Sequence, residues 1–260
     1  MQRVIVILAE RTSGETLVET TGLLRWRAAD RAVLFNKLAF ANVTRFCTNS
    51  YIPRIGDERL VNFLSRLKMM RRTISDISKD VMYEGRKPDP NDIFLTLPRT
   101  VGYFISATPG AMARSKALCV SFETFKNRDL ACALLNSNVF FWYWRSYGDG
   151  FLLGVDVLRG LPVPNTIDDN DECVGFVRRL EEVLPECTTF KKYRGEQIPN
   201  YNFNRRMDIL LDIDDWIVKH VAPDLKLPRD IFAQYKSNSF LRPLDLSAIT
   251  GAAAEVEDKE

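Results

Sequence analysis

The feature that most limits the possible folds is an aromatic run at residues 139–144 (VFFWYW). Asn127 or Asp129 can cap a helix that leads into this run, and Gly148 can end it. A helix that is apolar on all sides belongs in the interior of a protein or beneath a partner. We therefore predict one long helix that reaches about Tyr147 and forms the centre of the core.

The remaining pattern mixes strands and helices. Strand-like runs occupy residues 93–97, 102–107 and 117–122, and helices are predicted over 57–70, 172–184 and 206–221. This mixture predicts an α+β fold with a central aromatic-rich helix.

The N-terminus predicts a β-hairpin. Residues 4–8 (VIVIL) lack polar alternation, which is typical of a strand buried on both faces. A turn at 12–15 and a returning strand at 16–24 complete the hairpin, whose apolar faces need a packing surface. We divide the chain into the hairpin (1–27), a linker (28–56), a recognition core (57–165), a C-terminal helical extension (166–250) and an acidic tail (251–260).

Composition excludes several classes of protein. With 46% hydrophobic and 27% charged residues, the chain is neither disordered, nor collagen, nor a coiled-coil rod. The single histidine, His220, excludes a site that needs two imidazoles, and its place on an apolar helical face favours a packed or capping role. Five cysteines without a Cys-x-x-Cys pair argue against a zinc site or a disulfide scaffold. Because no apolar stretch reaches the ~20 residues that span a bilayer, we expect a soluble, cytoplasmic protein without a membrane partner.

The charges are unevenly distributed although the net charge is only +2. Basic residues concentrate in 66–72, 99–128 and 191–206, and acidic residues in 168–186, 208–215 and the tail. Basic segments that carry tyrosines suit phosphate contact and base stacking. The alternative is ordinary solvated surface charge.

Catalytic motifs are weak. The sequence has no Gly-x-Gly-x-x-Gly and no Walker sequence, and residues 148–150 (GDG) follow a predicted helix, which favours a turn. Asp208, Asp212 and Asp215 share the solvated face of a predicted helix. The closest match to a nuclease pattern is residues 123–126 (ETFK), with poor spacing.

A series of motifs in the second quarter and the middle of the chain resembles a known family. In order they are 102–104 (GYF), 115–118 (SKAL), 133–137 (ALLNS), 140–144 (FFWYW), 149–150 (DG) and 161–164 (LPVP). This order resembles the TaqI-like C-terminal specificity domain of adenine-N6 DNA methyltransferases from restriction–modification systems. In that family, a helix that contains Leu-Asn-Ser and many aromatic residues is followed by a short strand and a closing Pro-x-Pro motif. The helix around 213–214 is similar to the family's C-terminal helix.

The N-terminal segments 3–8, 23–26 and 31–35 resemble the end of the catalytic domain of these enzymes, where the last strands of a Rossmann-like methyltransferase sheet form a hairpin. The family's S-adenosylmethionine loop and its Asn/Asp-Pro-Pro-Tyr/Phe motif do not occur; residues 88–91 (PDPN) have the wrong order. The resemblance therefore implies a recognition part with no cofactor on this chain. S-adenosylmethionine is expected on a catalytic methyltransferase partner, which would methylate the adenine.

We therefore predict that the chain recognises double-stranded DNA and has no catalytic or metal-binding residues of its own. The DNA-facing residues are predicted to be Arg71, Arg72, Arg86, Lys87, Arg99, Arg114 and Lys116. Asn136 and Ser137 are expected to bond backbone or a helix end. Two alternatives stay open: an interaction subunit that docks a methyltransferase, and a metal-dependent nuclease that uses Glu123 or Asp149.

Overall fold

The computed structural model describes residues 14, 16–24, 26, 28–48, 50–82, 89, 91–110, 117–165, 171–193 and 195–237. The α-helices in these ranges are α1 (Glu58–Lys68), α2 (Ile74–Ile77), α3 (Phe125–Asn136), α4 (Asn138–Tyr147), α5 (Val155–Arg159), α6 (Asp171–Glu182), α7 (Leu184–Cys187) and α8 (Met207–Val221). The strands are β1 (Glu19–Thr20), β2 (Ala41–Asn42), β3 (Arg72–Thr73), β4 (Asp80–Met82), β5 (Ile93–Pro98), β6 (Thr108–Pro109), β7 (Ala117–Phe122), β8 (Pro162–Val163), β9 (Thr188–Tyr193) and β10 (Glu196–Tyr201). Short 3-10 turns occupy Ala28–Val33, Phe35–Lys37, Thr44–Phe46, Phe203–Arg206 and Ala233–Lys236. The predicted mixture of helix and strand is confirmed.

The largest sheet has four strands in the order β4-β7-β5-β6, with antiparallel neighbours. Its central strands, β5 (IFLTLP) and β7 (ALCVSF), are rich in β-branched and aromatic residues, which suit a pleated surface. Helix α3 packs against both strands and buries them. The strands predicted at 93–97 and 117–122 are confirmed.

The strand predicted over 102–107 is wrong, and the short strand β6 begins only at Thr108. The backbone at Ala107 pairs with a side chain instead of a strand. Its N–H donates to Asn136 Oδ1 at 2.9 Å, and Asn136 Nδ2 donates to the Ala107 carbonyl at 2.8 Å. The amide of Asn136 thus satisfies the hydrogen bonds that a neighbouring strand would otherwise supply.

Helix α1 confirms the prediction for residues 57–70 and ends slightly earlier. Asp57 is its N-cap, since the carboxylate accepts from the Arg59 N–H at 2.9 Å. The apolar positions at helical spacing are buried, and they are Leu60, Phe63, Leu64 and Leu67.

The helix predicted from Asn127 or Asp129 to Tyr147 is two helices, α3 and α4, and the cap of the first is Thr124. The break falls at Ser137, whose backbone is extended (φ −64°, ψ 155°). Its hydroxyl donates to the Leu134 carbonyl at 2.6 Å and accepts from the Phe140 N–H at 3.0 Å. One serine therefore ends α3 and begins α4.

The aromatic run of α4 is buried, as the sequence predicts. Trp142 and Trp144 are fully buried, and Trp142 lies at the centre of an aromatic group. Its ring centroid is 5.9 Å from that of Phe63 on α1 and 5.4 Å from that of Phe232 near the C-terminus. Helix α4 therefore joins elements that are distant in sequence.

The described hydrophobic core is one cluster, and it draws on segments that the sequence analysis named a linker and a C-terminal extension. The predicted linker 28–56 contributes Ala41, Val43 and Ile55, each 0% exposed. Residue 41 lies in β2 and residue 43 follows it, and β2 pairs with β1. This segment therefore packs against the core and is not an extended connection. The predicted C-terminal extension contributes the buried face of α8 to the same cluster.

Residues 4–8 and 251–260, predicted as a strand and an acidic tail, lie outside the described residues. The predicted return strand over 16–24 is mostly wrong: only Glu19–Thr20 (β1) form a strand, and this strand pairs with β2. Among the described residues, none of the helices is both long and apolar enough to cross a bilayer.

Candidate nucleic-acid interface

Three basic chain segments begin or end at the same end of the four-stranded sheet. The register pairs Met82 of β4 with Cys119, and Pro98 of β5 with Ala117 of β7. The last residues of β4 and β5 and the first residue of β7 therefore lie at the same end. We call this the basic sheet end and define it by Met82, Pro98, Arg99 and Ala117.

Four of the predicted DNA-facing residues lie outside the described residues, namely Arg86, Lys87, Arg114 and Lys116. Their segments are nevertheless attached to the basic sheet end. The segment 83–88 follows directly on Met82, and the segment 111–116 ends directly before Ala117. Arg99 follows Pro98, the cross-strand partner of Ala117. Five of the seven predicted residues thus belong to segments that start or finish at one end of the sheet.

The backbone at Arg99 is held by the chain that follows α4. The Arg99 carbonyl accepts from the Leu153 N–H at 2.8 Å, and Thr100 forms an isolated β-bridge with Leu152. The Leu152 carbonyl in turn accepts from the buried Trp144 Nε1 at 2.9 Å. The aromatic helix that fills the core therefore also fixes the backbone that carries the half-buried Arg99 side chain.

A tight turn at residues 149–152 places an aromatic ring beside this segment. The Asp149 carboxylate accepts from the Phe151 and Leu152 N–H groups, both at 2.6 Å, and Gly150 has φ +75°. Phe151 is 50% exposed and Tyr103 is 44% exposed. The turn at residues 148–150 was predicted from the sequence, but the exposed aromatic ring of Phe151 that follows it was not.

Arg71 and Arg72 occupy a different place. Arg72 lies in β3, which pairs with Val163 of β8 in a separate two-stranded sheet, and the Arg71 N–H donates to Asn165 Oδ1 at 3.3 Å. The chain then enters β4 at Asp80, at the end of the sheet opposite the basic sheet end. Strand pairing therefore does not unite these two arginines with the other five residues.

The carboxylates considered for a nuclease have structural partners. Asp212 forms ion pairs with Arg179 at 2.8 Å and with Arg229 at 2.5 Å, while Asp215 pairs with Arg229 at 2.7 Å. Asp208 pairs with an adjacent arginine at 3.0 Å, which lowers its carboxyl pKa, chiefly through the hydrogen bond. Glu123 is exposed, 4.0 Å from Lys79. Across the described ranges, no three His, Cys, Asp or Glu side chains are grouped to hold a metal ion.

The single histidine has a packing role. His220 Nδ1 lies 2.7 Å from the Trp216 carbonyl oxygen one helical turn earlier, and the two rings pack with centroids 5.0 Å apart. Both contacts are internal to α8, which agrees with the structural interpretation of the sequence.

A buried polar group between α4 and α8 was not predicted from the sequence. Asp214 is 1% exposed; its carboxylate accepts from the Asn138 and Val139 N–H groups at 2.8 and 3.2 Å and from Asn138 Nδ2 at 2.6 Å. Lys236, 4% exposed, donates to Asn204 Oδ1 at 2.8 Å. Burial raises the pKa of Asp214 and lowers the pKa of Lys236.

A signal for Asp214 exists in the sequence. It stands four residues after Leu210 and three before Ile217, both buried, so helical spacing places it on the apolar face of α8. Its carboxylate caps α4, whose first N–H groups have no partner within the helix. The buried Asp214 carboxylate therefore connects α8 to the first turn of α4 and does not form an open site.

The buried thiols are poor nucleophiles. Burial raises the pKa of Cys132 and of Cys173 to about 12 and that of Cys187 to about 11. A thiol needs a lowered pKa to attack at neutral pH. The described part of the basic sheet end offers the cation Arg99 and, beside its segment, the exposed ring of Phe151, a combination that suits contact with a nucleic acid. Comparison of the chain with protein-family models, with curated proteins and with solved structures gave no match.

Proposed function

We propose that this chain is the DNA target recognition part of an adenine-N6 DNA methyltransferase of the restriction–modification type. The observation that carries the proposal is the register of the four-stranded sheet, which brings Met82, Pro98 and Ala117 to one end. Arg99 follows Pro98 there, the sequence that carries Arg86 and Lys87 begins after Met82, and the sequence that carries Arg114 and Lys116 ends before Ala117. Duplex DNA carries one negative charge per ~1.7 Å of its axis, so clustered cations on a rigid element are a suitable counterpart.

The two layers of recognition have different requirements. Lysine and arginine contacts to phosphates set the register of a protein on the duplex, and a few side chains at base edges supply the sequence preference. The anchored backbone at Arg99 suits the first task, because Leu153 and the Leu152–Trp144 hydrogen bond hold it in place. The basic segments that carry Arg86, Lys87, Arg114 and Lys116 would serve the second.

Two residues of the motif that resembles the family support the proposal. Asn136 and Ser137, the Asn-Ser of the resembling motif, bond backbone and a helix end as expected. The methyl transfer itself would need S-adenosylmethionine on a catalytic partner, which would also flip the adenine out of the duplex. The resemblance of the N-terminal segments to the end of a Rossmann-like sheet suggests the side on which such a partner would dock.

The test is fluorescence anisotropy with a labelled random-sequence duplex at low and moderate salt. Arg99→Ala with Arg114→Ala should weaken binding about tenfold and reduce the salt slope by about 2, since two phosphate contacts are lost. The matched control is Lys219→Ala with Lys226→Ala, which removes the same charge from exposed positions outside the basic sheet end. Equal effects of the two double variants would reject the assignment.

A second candidate function is docking of a methyltransferase subunit, and one observation favours it. Exposed large hydrophobic side chains concentrate in residues 17–52, where they are Leu17, Trp26, Val33, Phe35, Phe40, Tyr51 and Ile52. Dispersed apolar side chains are ordinary at a surface, but a concentration in one segment is typical of an interaction site. Light scattering separates the two: a monomer that binds duplex alone favours direct recognition, and self-association without duplex binding favours docking.

A further inference from the structure

The hairpin β9–β10 is a separate ribbon attached to the core. Its strands pair from Thr188–Tyr201 at the base to Tyr193–Glu196 at the tip, and neither strand pairs with another described strand. The connection is two residues long, and its Gly195 has φ +91°. Six residues per strand give a length of roughly 20 Å.

The base of the ribbon is anchored near the segment that follows Arg99. Ser106 Oγ donates to the Tyr201 carbonyl at 2.7 Å, and Asn204 Nδ2 donates to the Tyr103 carbonyl at 3.2 Å. The Asn202 N–H donates to the Cys187 carbonyl at 2.8 Å. An isolated hairpin is only marginally stable in water, so these bonds hold the ribbon in a defined direction.

The outer half of the ribbon presents cations and an aromatic ring to solvent. Phe190 is 63% exposed, and Lys191, Lys192 and Gln197 are exposed as well. Successive residues of a strand point to opposite faces, so the two lysines lie on opposite faces. In the part of the chain that the structure describes, neither lysine forms an ion pair.

We propose that this ribbon enters the major groove of duplex DNA, an inference that rests on the proposed function and names the groove. The major groove is about 12 Å wide and accepts a two-stranded ribbon, whereas the minor groove, about 6 Å wide, does not. Lys191 and Lys192 lie on one edge strand of the ribbon, and their long side chains can then reach phosphates along the groove beside that strand. Gln197 lies directly opposite Lys192, where its amide can meet a base edge, a contact that glutamine makes with adenine.

The experiment uses the full chain and a labelled mixed-sequence duplex in three forms: unmodified, saturated with the minor-groove ligand netropsin, and carrying glucosylated 5-hydroxymethylcytosine, which fills the major groove. The test variant is Lys191→Ala with Lys192→Ala, and the control is Lys219→Ala with Lys226→Ala. All four lysines are exposed, so circular dichroism should show unchanged folding. The test variant should bind the unmodified duplex about tenfold more weakly, with a salt slope smaller by about 2, and the control should stay within about twofold.

Glucosylation should weaken the unaltered chain about tenfold and have little effect on the test variant, and netropsin should have little effect on either. If the test variant equals the control while Arg99→Ala with Arg114→Ala still weakens binding, the ribbon inference is overturned and the proposed function stands. Inhibition by netropsin instead of glucosylation also overturns it. If the unaltered chain binds no duplex at low salt, the proposed function fails and the inference fails with it.

Discussion

The interior around α4 and the outer half of the β9–β10 ribbon use the same residue types in opposite environments. Phe140 is fully buried, whereas Phe190 is 63% exposed. Lys236 is 4% exposed and bonded to Asn204, whereas Lys191 is exposed and forms no ion pair within the described ranges. A buried polar group is costly unless it is paired, so packing accounts for the identities of the interior residues. Packing does not account for the identities on the ribbon, where water surrounds the side chains.

The sharpest test of this comparison is a matched pair of phenylalanine replacements. Phe140→Ala should lower the free energy of unfolding by about 3–5 kcal/mol, because it removes a buried ring and leaves a cavity among neighbours that cannot fully collapse. Phe190→Ala should lower it by less than about 0.5 kcal/mol, because the ring is already hydrated. Urea denaturation measures both.

The affinity of the same two variants for DNA should differ in the opposite way. At a temperature where both are folded, Phe140→Ala should keep the affinity of the unaltered chain, and Phe190→Ala should weaken it. A large loss of stability in Phe190→Ala would show that the ribbon packs against a surface and would undo the contrast between the two regions.

The interior was the part of the fold that sequence could predict. The apolar spacing of α1 and the aromatic run of α4 dictate burial by themselves, whatever the tertiary contacts are. The break at Ser137 was not predictable from spacing, because a serine in a helical pattern can either continue the helix or cap a new one. The choice depends on Asp214, 76 residues after Asn138, whose carboxylate accepts from the first N–H groups of α4.

The buried Asp214 carboxyl makes the stability of the interior depend on pH. Burial raises the pKa of this carboxyl in the folded protein, so the folded state binds the proton more tightly than the unfolded chain. The stability from this group is greatest below the unfolded pKa of about 3.9 and is lost as pH rises through the folded pKa. Between pH 4 and neutrality, Lys236 stays protonated in the unfolded chain and adds the opposite trend only at higher pH.

Asp214→Asn should therefore flatten the decline of unfolding free energy between about pH 4 and pH 7, by at least about 1 kcal/mol across that range. The asparagine can still accept from Asn138, whose Oδ1 has no partner and can receive the new amide. Asp215→Asn, on the solvent-facing side of the same helix, is the matched control. If both variants give the same profile, the pH dependence arises at the surface.

Removal of the two helix caps, Ser137 and Thr124, should lower the free energy of unfolding by different, smaller amounts. Ser137→Ala removes a buried hydroxyl that serves both Leu134 and Phe140, so it should cost about 1–2 kcal/mol. Thr124→Ala removes an exposed cap from α3, where water can replace the lost bond, so it should cost about 0.5–1 kcal/mol. Thermal unfolding of the two variants measures the difference. Equal losses would mean that burial adds nothing to a cap in this protein.

The candidate site was predictable in composition but not in geometry. Sequence alone identified the basic segments around Arg99 and Lys116, since charge clustering needs no fold. It could not show that Pro98 pairs with Ala117, because register depends on long-range pairing and on loops of unknown path. For the same reason Arg71 and Arg72 were grouped with the others, and the ribbon was not foreseen in a stretch that lacks strong alternation.

The smallest expected effects come from two glycines, one in a helix and one in the ribbon. Gly175 lies within α6 with open space where a Cβ would stand, so Gly175→Ala should stabilise the protein by about 0.5–1 kcal/mol. Gly195 also has open space but has φ +91°, which L-residues rarely adopt, so Gly195→Ala should cost about 1 kcal/mol locally. Because the ribbon pairs with no other described strand, this cost should appear as faster amide exchange in residues 188–201 and not in the global unfolding transition. An equal loss in the global transition would show that ribbon and interior unfold as one unit.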